Sequence, residues 1–157
     1  MTDTATAAPA TYDDLRALIG KVLGPTDWHD VTQERIDAFA DATGDHQWIH
    51  VDPARAAATA LGGTIAHGLY SLSLTPALSA ELLRFDGFAH SLNYGYGKVR
   101  FPAPVPVGSR MRLRATVTSA DKLPGGIQVT MSQVIEREGA DKPVMVAESM
   151  VRVVEHD

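Results

Sequence analysis

The residues best suited to chemistry sit close together in the first half of the chain, in Gly44-Asp45-His46-Gln47-Trp48-Ile49-His50. Asp45 and His50 are a carboxylate and an imidazole separated by one short segment. A turn brings two such side chains together, and the pair then handles protons. The imidazole takes or gives one near neutral pH, and the carboxylate orients the ring or moves a second proton. The same residue types also cap turns and helices, so spacing alone leaves both readings open. A second feature is Ala66-His67-Gly68, at the head of a long apolar stretch. The first N–H groups of a helix are unpaired, and that end carries a partial positive charge. Gly68 has no side chain to keep a substrate away from those groups, which suits an oxygen gaining negative charge. Tight packing is the other use of a glycine there.

Other constellations fail on their own terms. His46 and His50 stand four apart, but there is no HExxH pattern and no nearby third ligand, so no metal is expected. Gly95-Tyr96-Gly97 lacks the spacing of a nucleotide loop, and Ser71 and Ser73 lack the setting of a nucleophile elbow. Lys98 and Arg100, with Arg110, Arg112 and Arg114, are able to meet phosphates or to form the solvated face of a strand.

The elements that must position these residues divide the chain in two. Thr11 and Asp14 have the spacing of a capping box, which predicts a helix through Leu15, Leu18, Ile19 and Val22 that stops at Gly24-Pro25. A short extended piece follows at residues 28–31. The spacing predicts a second helix over 32–43, with Ile36, Phe39 and Ala40 on one face and Gly44 as its stop. Asp52-Pro53 predicts a third, short helix to about Ala60, broken by Gly62-Gly63. Residues 66–83 are apolar nearly all round, the pattern of a buried helix, with Pro76 predicting a kink or break.

From there the period drops to two. Met111, Leu113, Ala115 and Val117 alternate with polar residues, as do Ile127, Val129 and Met131 further on. Pro124-Gly125-Gly126 marks a hairpin between those strands. Residues 92–101 and 144–154 complete the strands. One buried helix with several antiparallel strands is an α+β domain whose sheet must wrap the helix. Its open edges favour pairing with a second copy.

Composition narrows the function further. A chain of 157 residues has the length of one domain, and 45% hydrophobic content supplies a core. The net charge of −5 argues against nucleic acid as the main partner. With no cysteine there is no disulfide, thiol nucleophile or thiolate site. Residues 1–10 read as a disordered tail with no targeting pattern, leaving 11–157 as the domain. No apolar run has the length of a membrane span, so a cytoplasmic protein is expected.

The chain resembles the MaoC-like dehydratases, or (R)-specific enoyl-CoA hydratases. The resemblance rests on residues 39–45 (Phe-Ala-Asp-Ala-Thr-Gly-Asp), on His50-Val51-Asp52-Pro53-Ala54-Arg55-Ala56 and on Thr64-Ile65-Ala66-His67-Gly68. A third block is Asn93-Tyr94-Gly95 with residues 98–108. The spelling of residues 44–50 is closest to the nodulation protein N-like branch, which includes 3-hydroxyacyl-thioester dehydratases. The resemblance spans residues 28–153. It implies a hot-dog fold, a long central helix wrapped by a curved antiparallel sheet, joined as a homodimer. It implies a hydro-lyase of fatty-acid metabolism that interconverts trans-2-enoyl-CoA and (3R)-hydroxyacyl-CoA, with Asp45 and His50 catalytic and the Gly68 N–H at the oxyanion position. Gln47, His67 and Asn93 fall in the substrate-binding blocks, and Lys98 and Arg100 where CoA would be met. Gln47-Trp48 stands where many relatives have Asn-Pro, which bears on the pocket wall. No cofactor or metal is implied, since CoA or a carrier-bound pantetheine is the substrate's handle. Two alternatives are a hot-dog acyl-CoA thioesterase and a non-catalytic acyl-thioester-binding subunit. The first would favour an acidic residue on the central helix, where only Glu81 appears, near the end.

Overall fold

The computed structural model describes residues 5–157. Helix α1, Tyr12–Ala17, begins at Thr11 with the expected capping box: the Thr11 hydroxyl accepts from the Asp14 N–H, and the Asp14 carboxylate accepts from the Thr11 N–H. It is shorter than its apolar spacing suggests. Gly20 turns the chain at φ 81°, and Val22 then belongs to strand β1, Val22–Leu23, paired with Thr116 and Ala115. Pairing with the sheet wins over helix continuation because it satisfies backbone groups at the sheet margin. Strand β2, His29–Asp30, follows.

Helix α2, Gln33–Thr43, is capped by Thr32 and ends at Gly44 in the left-handed conformation at φ 80°, as its sequence demands. The next segment was expected as an irregular turn. It is instead one helical turn, α3, Trp48–Val51. Asp52 then caps α4, Pro53–Ala57, with Pro53 in the first turn.

Helix α5, Gly68–Leu82, is the longest. It runs unbroken through Pro76, so the chain is not interrupted there. The Leu72 carbonyl, which a proline cannot bond, accepts from the Thr75 hydroxyl at 2.8 Å instead. Nor is α5 buried all round. Tyr70, Ser71, Thr75, Leu78 and Leu82 are buried, while Leu69 is 59% exposed and Ser73, Ala77 and Ala80 lie on the open side.

The remaining strands are β3 (His90–Arg100), β4 (Arg110–Leu123), β5 (Gly126–Arg137) and β6 (Met145–Val154). All pairs are antiparallel, in the order β1-β4-β5-β6-β3, with β2 also on β4. Pro124 and Gly125 make the β4–β5 turn, as read from the sequence. Met111, Leu113, Val117, Ile127, Val129 and Ile135 are buried on the face that receives α5. Of the stretch expected as a tail, residues 1–4 lie outside the described residues. Ala7 pairs with Leu83, donating to the Leu82 carbonyl at 2.8 Å.

Candidate active site

The N-terminal end of α5 meets the short helix α3 and the loop that leads from α4 into α5. Two bonds tie α3 to this loop. The Ile65 N–H donates to the Ile49 carbonyl at 3.0 Å, and His50 Nδ1–H donates to the Ile65 carbonyl at 2.7 Å. A carbonyl only accepts, so Nδ1 carries the proton and Nε2 of the neutral ring offers a lone pair. His50 is 6% exposed.

His67, just ahead of α5, packs ring on ring against His50, with centroids 3.7 Å apart and planes 23° from parallel. Its Nε2 bonds the Asp45 carbonyl at 2.9 Å, and Phe39 covers its far side at 4.9 Å between centroids. His67 therefore holds Asp45 by the main chain and not through its carboxylate. The Asp45 carboxylate is exposed and accepts from the Gln47 N–H at 3.4 Å. One nitrogen of each histidine and one Asp45 oxygen lie within 4.8 Å of one another. A metal accepts ligands at such distances only if their lone pairs converge. His67 is a third group of ligand type beside Asp45 and His50, one that was not expected from the sequence, and the same three groups are also of the types that handle protons.

Gly68 completes the cluster. A Cβ there would stand 2.7 Å from the Phe101 ring, so only glycine leaves Phe101 in place over the helix end. His50, His67, Gly68, Ser71 and Phe101 share a cavity of about 280 Å³, with Val105 and Val144 among its walls.

Of the residues singled out from the sequence, Asp45, His50, His67 and Gly68 come together here, with Gln47 exposed beside them as the residue before α3. Asn93 does not join them within the chain. It lies on β3 in the wall of a different cavity. Lys98 and Arg100 are exposed on the same strand, and the Arg100 guanidinium donates to the Val99 carbonyl. Two contributors had no sequence signal of their own. Gln33 donates to the His50 carbonyl at 2.7 Å and accepts from the Thr64 hydroxyl, pinning α3 to α2 and to the loop before α5. Phe101 roofs Gly68.

Three electrostatic perturbations surround the site. Burial lowers the His29 pKa and raises that of Tyr70, whose hydroxyl lies 2.9 Å from His29 Nε2. The exposed His46 ring is raised by its hydrogen bond to Asp41.

Comparison with known proteins adds to this geometry. Residues 14–139 match the family model described as MaoC like domain. The 3-hydroxyacyl-thioester dehydratase Z of Mycobacterium tuberculosis is 52% identical over 90% of this chain and 94% of its own length. Nodulation protein N of Rhizobium leguminosarum bv. viciae is 40% identical over 92% of this chain and 91% of its own. Among solved structures, the R-hydratase PhaJ1 of Pseudomonas aeruginosa superposes with a TM-score of 0.75 at 27% identity, covering 94% of this chain and 87% of that one.

Proposed function

The chain belongs to the MaoC-like domain family, with its hot-dog fold, and we propose that it reversibly hydrates trans-2-enoyl thioesters to (3R)-hydroxyacyl thioesters through Asp45 and His50. The observation that carries this reading is that His50, whose Nε2 has no partner among the described residues, shares a cavity with Gly68 at the start of α5 and has the exposed Asp45 carboxylate close by. The thioester carbonyl accepts a hydrogen bond from the Gly68 N–H. Electron density is drawn from the conjugated double bond, and C3 becomes electrophilic. Asp45 and His50 hold one water over the double bond. As its oxygen bonds to C3, His50 Nε2 takes the water's proton while the Asp45 carboxylate accepts a hydrogen bond from the oxygen's other hydrogen. The His50 imidazolium then returns that proton to C2 as the enolate formed on the carbonyl oxygen collapses to the 3-hydroxyacyl thioester. Dehydration is the reverse.

The protein uses its own side chains in this scheme, with no redox cofactor and no metal. The CoA or pantetheine arm is the substrate's handle, with Lys98 and Arg100 as phosphate contacts. No described helix is long and apolar enough to cross a membrane, and the substrate pool places the work in the cytoplasm. The working unit is a homodimer. Strand β3 ends the sheet order, and Leu92 and Tyr94 on it are 58% and 61% exposed, an edge suited to a second copy.

Thioester hydrolysis fits less well, because α5 carries no acidic residue before Glu81, close to the end remote from Gly68. A non-catalytic binder would have little use for the free His50 Nε2 beside a carboxylate. The test is purified wild-type protein with crotonyl-CoA, followed by loss of enoyl-thioester absorbance and by chiral analysis of the product. Rapid loss giving the (3R) alcohol is expected. Release of free CoA from saturated acyl-CoAs without hydration would replace this reading with the thioesterase. Acyl-CoA binding without turnover would replace it with the binding subunit.

A further inference from the structure

Beside the C-terminal half of α5 lies a larger cavity of about 370 Å³ that the hydration step does not use. Its lining is unusual for the interior of this sheet. Along β5 and β6 the inward residues are apolar (Ile127, Val129, Met131, Ile135, Met145, Ala147 and Val153), except Gln133 and Ser149. These two are 2% and 3% exposed. The register pairs Gln133 with Ala147 and Met131 with Ser149, so they are diagonal neighbours on the inner face. Both line the cavity, with Thr75 and Ser79 of α5 and Tyr96 of β3.

The hydrogen bonds here are incomplete. Gln133 Nε2 donates to Ser79 Oγ at 2.9 Å, and Tyr96 is joined to Thr75 at 3.1 Å. Gln133 Oε1 and Ser149 Oγ have no partner among the described residues. Buried polar groups are nearly always paired, and an unpaired one is costly. Two of them in one cavity point to a partner that arrives with a ligand.

The cavity also stands in line with the reaction site. Gly68, Ser71, Thr75 and Ser79 recur at helical spacing on one face of α5. At 1.5 Å per residue, Thr75 and Ser79 lie about 10 and about 16 Å along the axis from Gly68. We propose that this cavity receives the far end of the acyl chain and selects chains that carry a hydroxyl group there. The hydroxyl donates to Gln133 Oε1 and accepts from the Ser149 hydroxyl. With the amide turned over, its NH₂ donates to the same hydroxyl, so the complement holds either way. A plain alkyl tail would leave both groups dry and unpaired, the situation in which polar sites reject analogues most strongly. The inference rests on the reading of Gly68 as the seat of the thioester carbonyl.

The test is calorimetric binding of decanoyl-CoA and ω-hydroxydecanoyl-CoA to the wild type, Gln133→Met and Ser149→Ala, with melting temperatures to confirm folding. The wild type should bind the hydroxylated chain at least about tenfold more tightly, the ratio one or two net hydrogen bonds give. That ratio should fall toward one in both variants. Equal or tighter binding of decanoyl-CoA by the wild type would overturn the proposal, as would a preference unchanged in both folded variants. Wild-type hydration of crotonyl-CoA, run in parallel, separates the two failures. Hydration without the binding preference removes only this inference. The preference without hydration removes the hydratase reading and leaves the cavity's selectivity standing.

Discussion

The helical segment from α2 to the start of α5 and the sheet of β4, β5 and β6 are held together in different ways. The sheet rests on continuous antiparallel ladders and an apolar inner face. Many small contributions there share the load. The helical segment is joined largely by single bonds from side chain to main chain: Gln33 to the His50 carbonyl, His50 to the Ile65 carbonyl, His67 to the Asp45 carbonyl. The reacting groups thus hang on the part of the molecule with fewest redundant ties. Substitutions in the helical segment should act mainly on rate, and substitutions in the sheet mainly on stability.

The largest expected effect comes from removing both proton-handling groups. The combined Asp45→Ala/His50→Ala variant should lose about 10⁴-fold in kcat, yet no more than a few-fold beyond the worse single change, because the two act as a unit. Steady-state kinetics on crotonyl-CoA checks this; fully additive losses would mean independent roles. Next comes Gly68→Ala. The added methyl meets the Phe101 ring at 2.7 Å, and the displaced helix end should cost about 10²–10³ in kcat. An unchanged rate would remove the helix end from the mechanism.

Gln33→Leu sharpens the comparison. It cuts the bond to the His50 carbonyl without touching either reacting group, and should lower kcat about 10- to 100-fold through misplacement. Ile135→Ala is its counterpart in the sheet. Ile135 is fully buried, so the change should cost about 2–5 kcal/mol in denaturant unfolding. The kcat of the molecules that remain folded should stay within about twofold. A large rate loss there, or a large stability loss at Gln33 with normal rate, would break the distinction between the two regions.

The smallest effect is expected at His46, four residues from His50 but exposed and bonded to Asp41. His46→Asn should change kcat no more than about twofold, as a surface substitution. Its trace should be in stability. Asp41 raises the His46 pKa, so the pair stabilises the fold below the usual histidine value, and the contribution disappears as pH rises through the raised one. Melting curves of wild type and variant should differ in acid and converge in alkali.

The same division explains what could be read in advance. Two-residue alternation around Met111–Val117 and Ile127–Met131 marks strands because each inward residue is buried by its own position. Thr32 and Gly44 mark the ends of α2 because caps are local chemistry. Asp45, His50 and Gly68 were legible as types in suggestive places, and the motif resemblance supplied their roles. Contacts between distant residues were not legible. Nothing near Gln33 announces that it holds His50, and nothing near Phe101 announces that it roofs Gly68. The helix expected through Val22 and a break expected at Pro76 failed for related reasons. A sheet edge claimed Val22, and the Thr75 hydroxyl took up the carbonyl that Pro76 leaves free.

The central claim is that Asp45 and His50 carry the hydration of an enoyl thioester. It is tested most directly by the initial rate of crotonyl-CoA hydration for wild type, Asp45→Ala and His50→Ala side by side, with melting temperatures recorded on the same samples. Each variant should lose about 10²–10⁴-fold in rate while remaining folded. Near-normal rates in both folded variants would contradict the account.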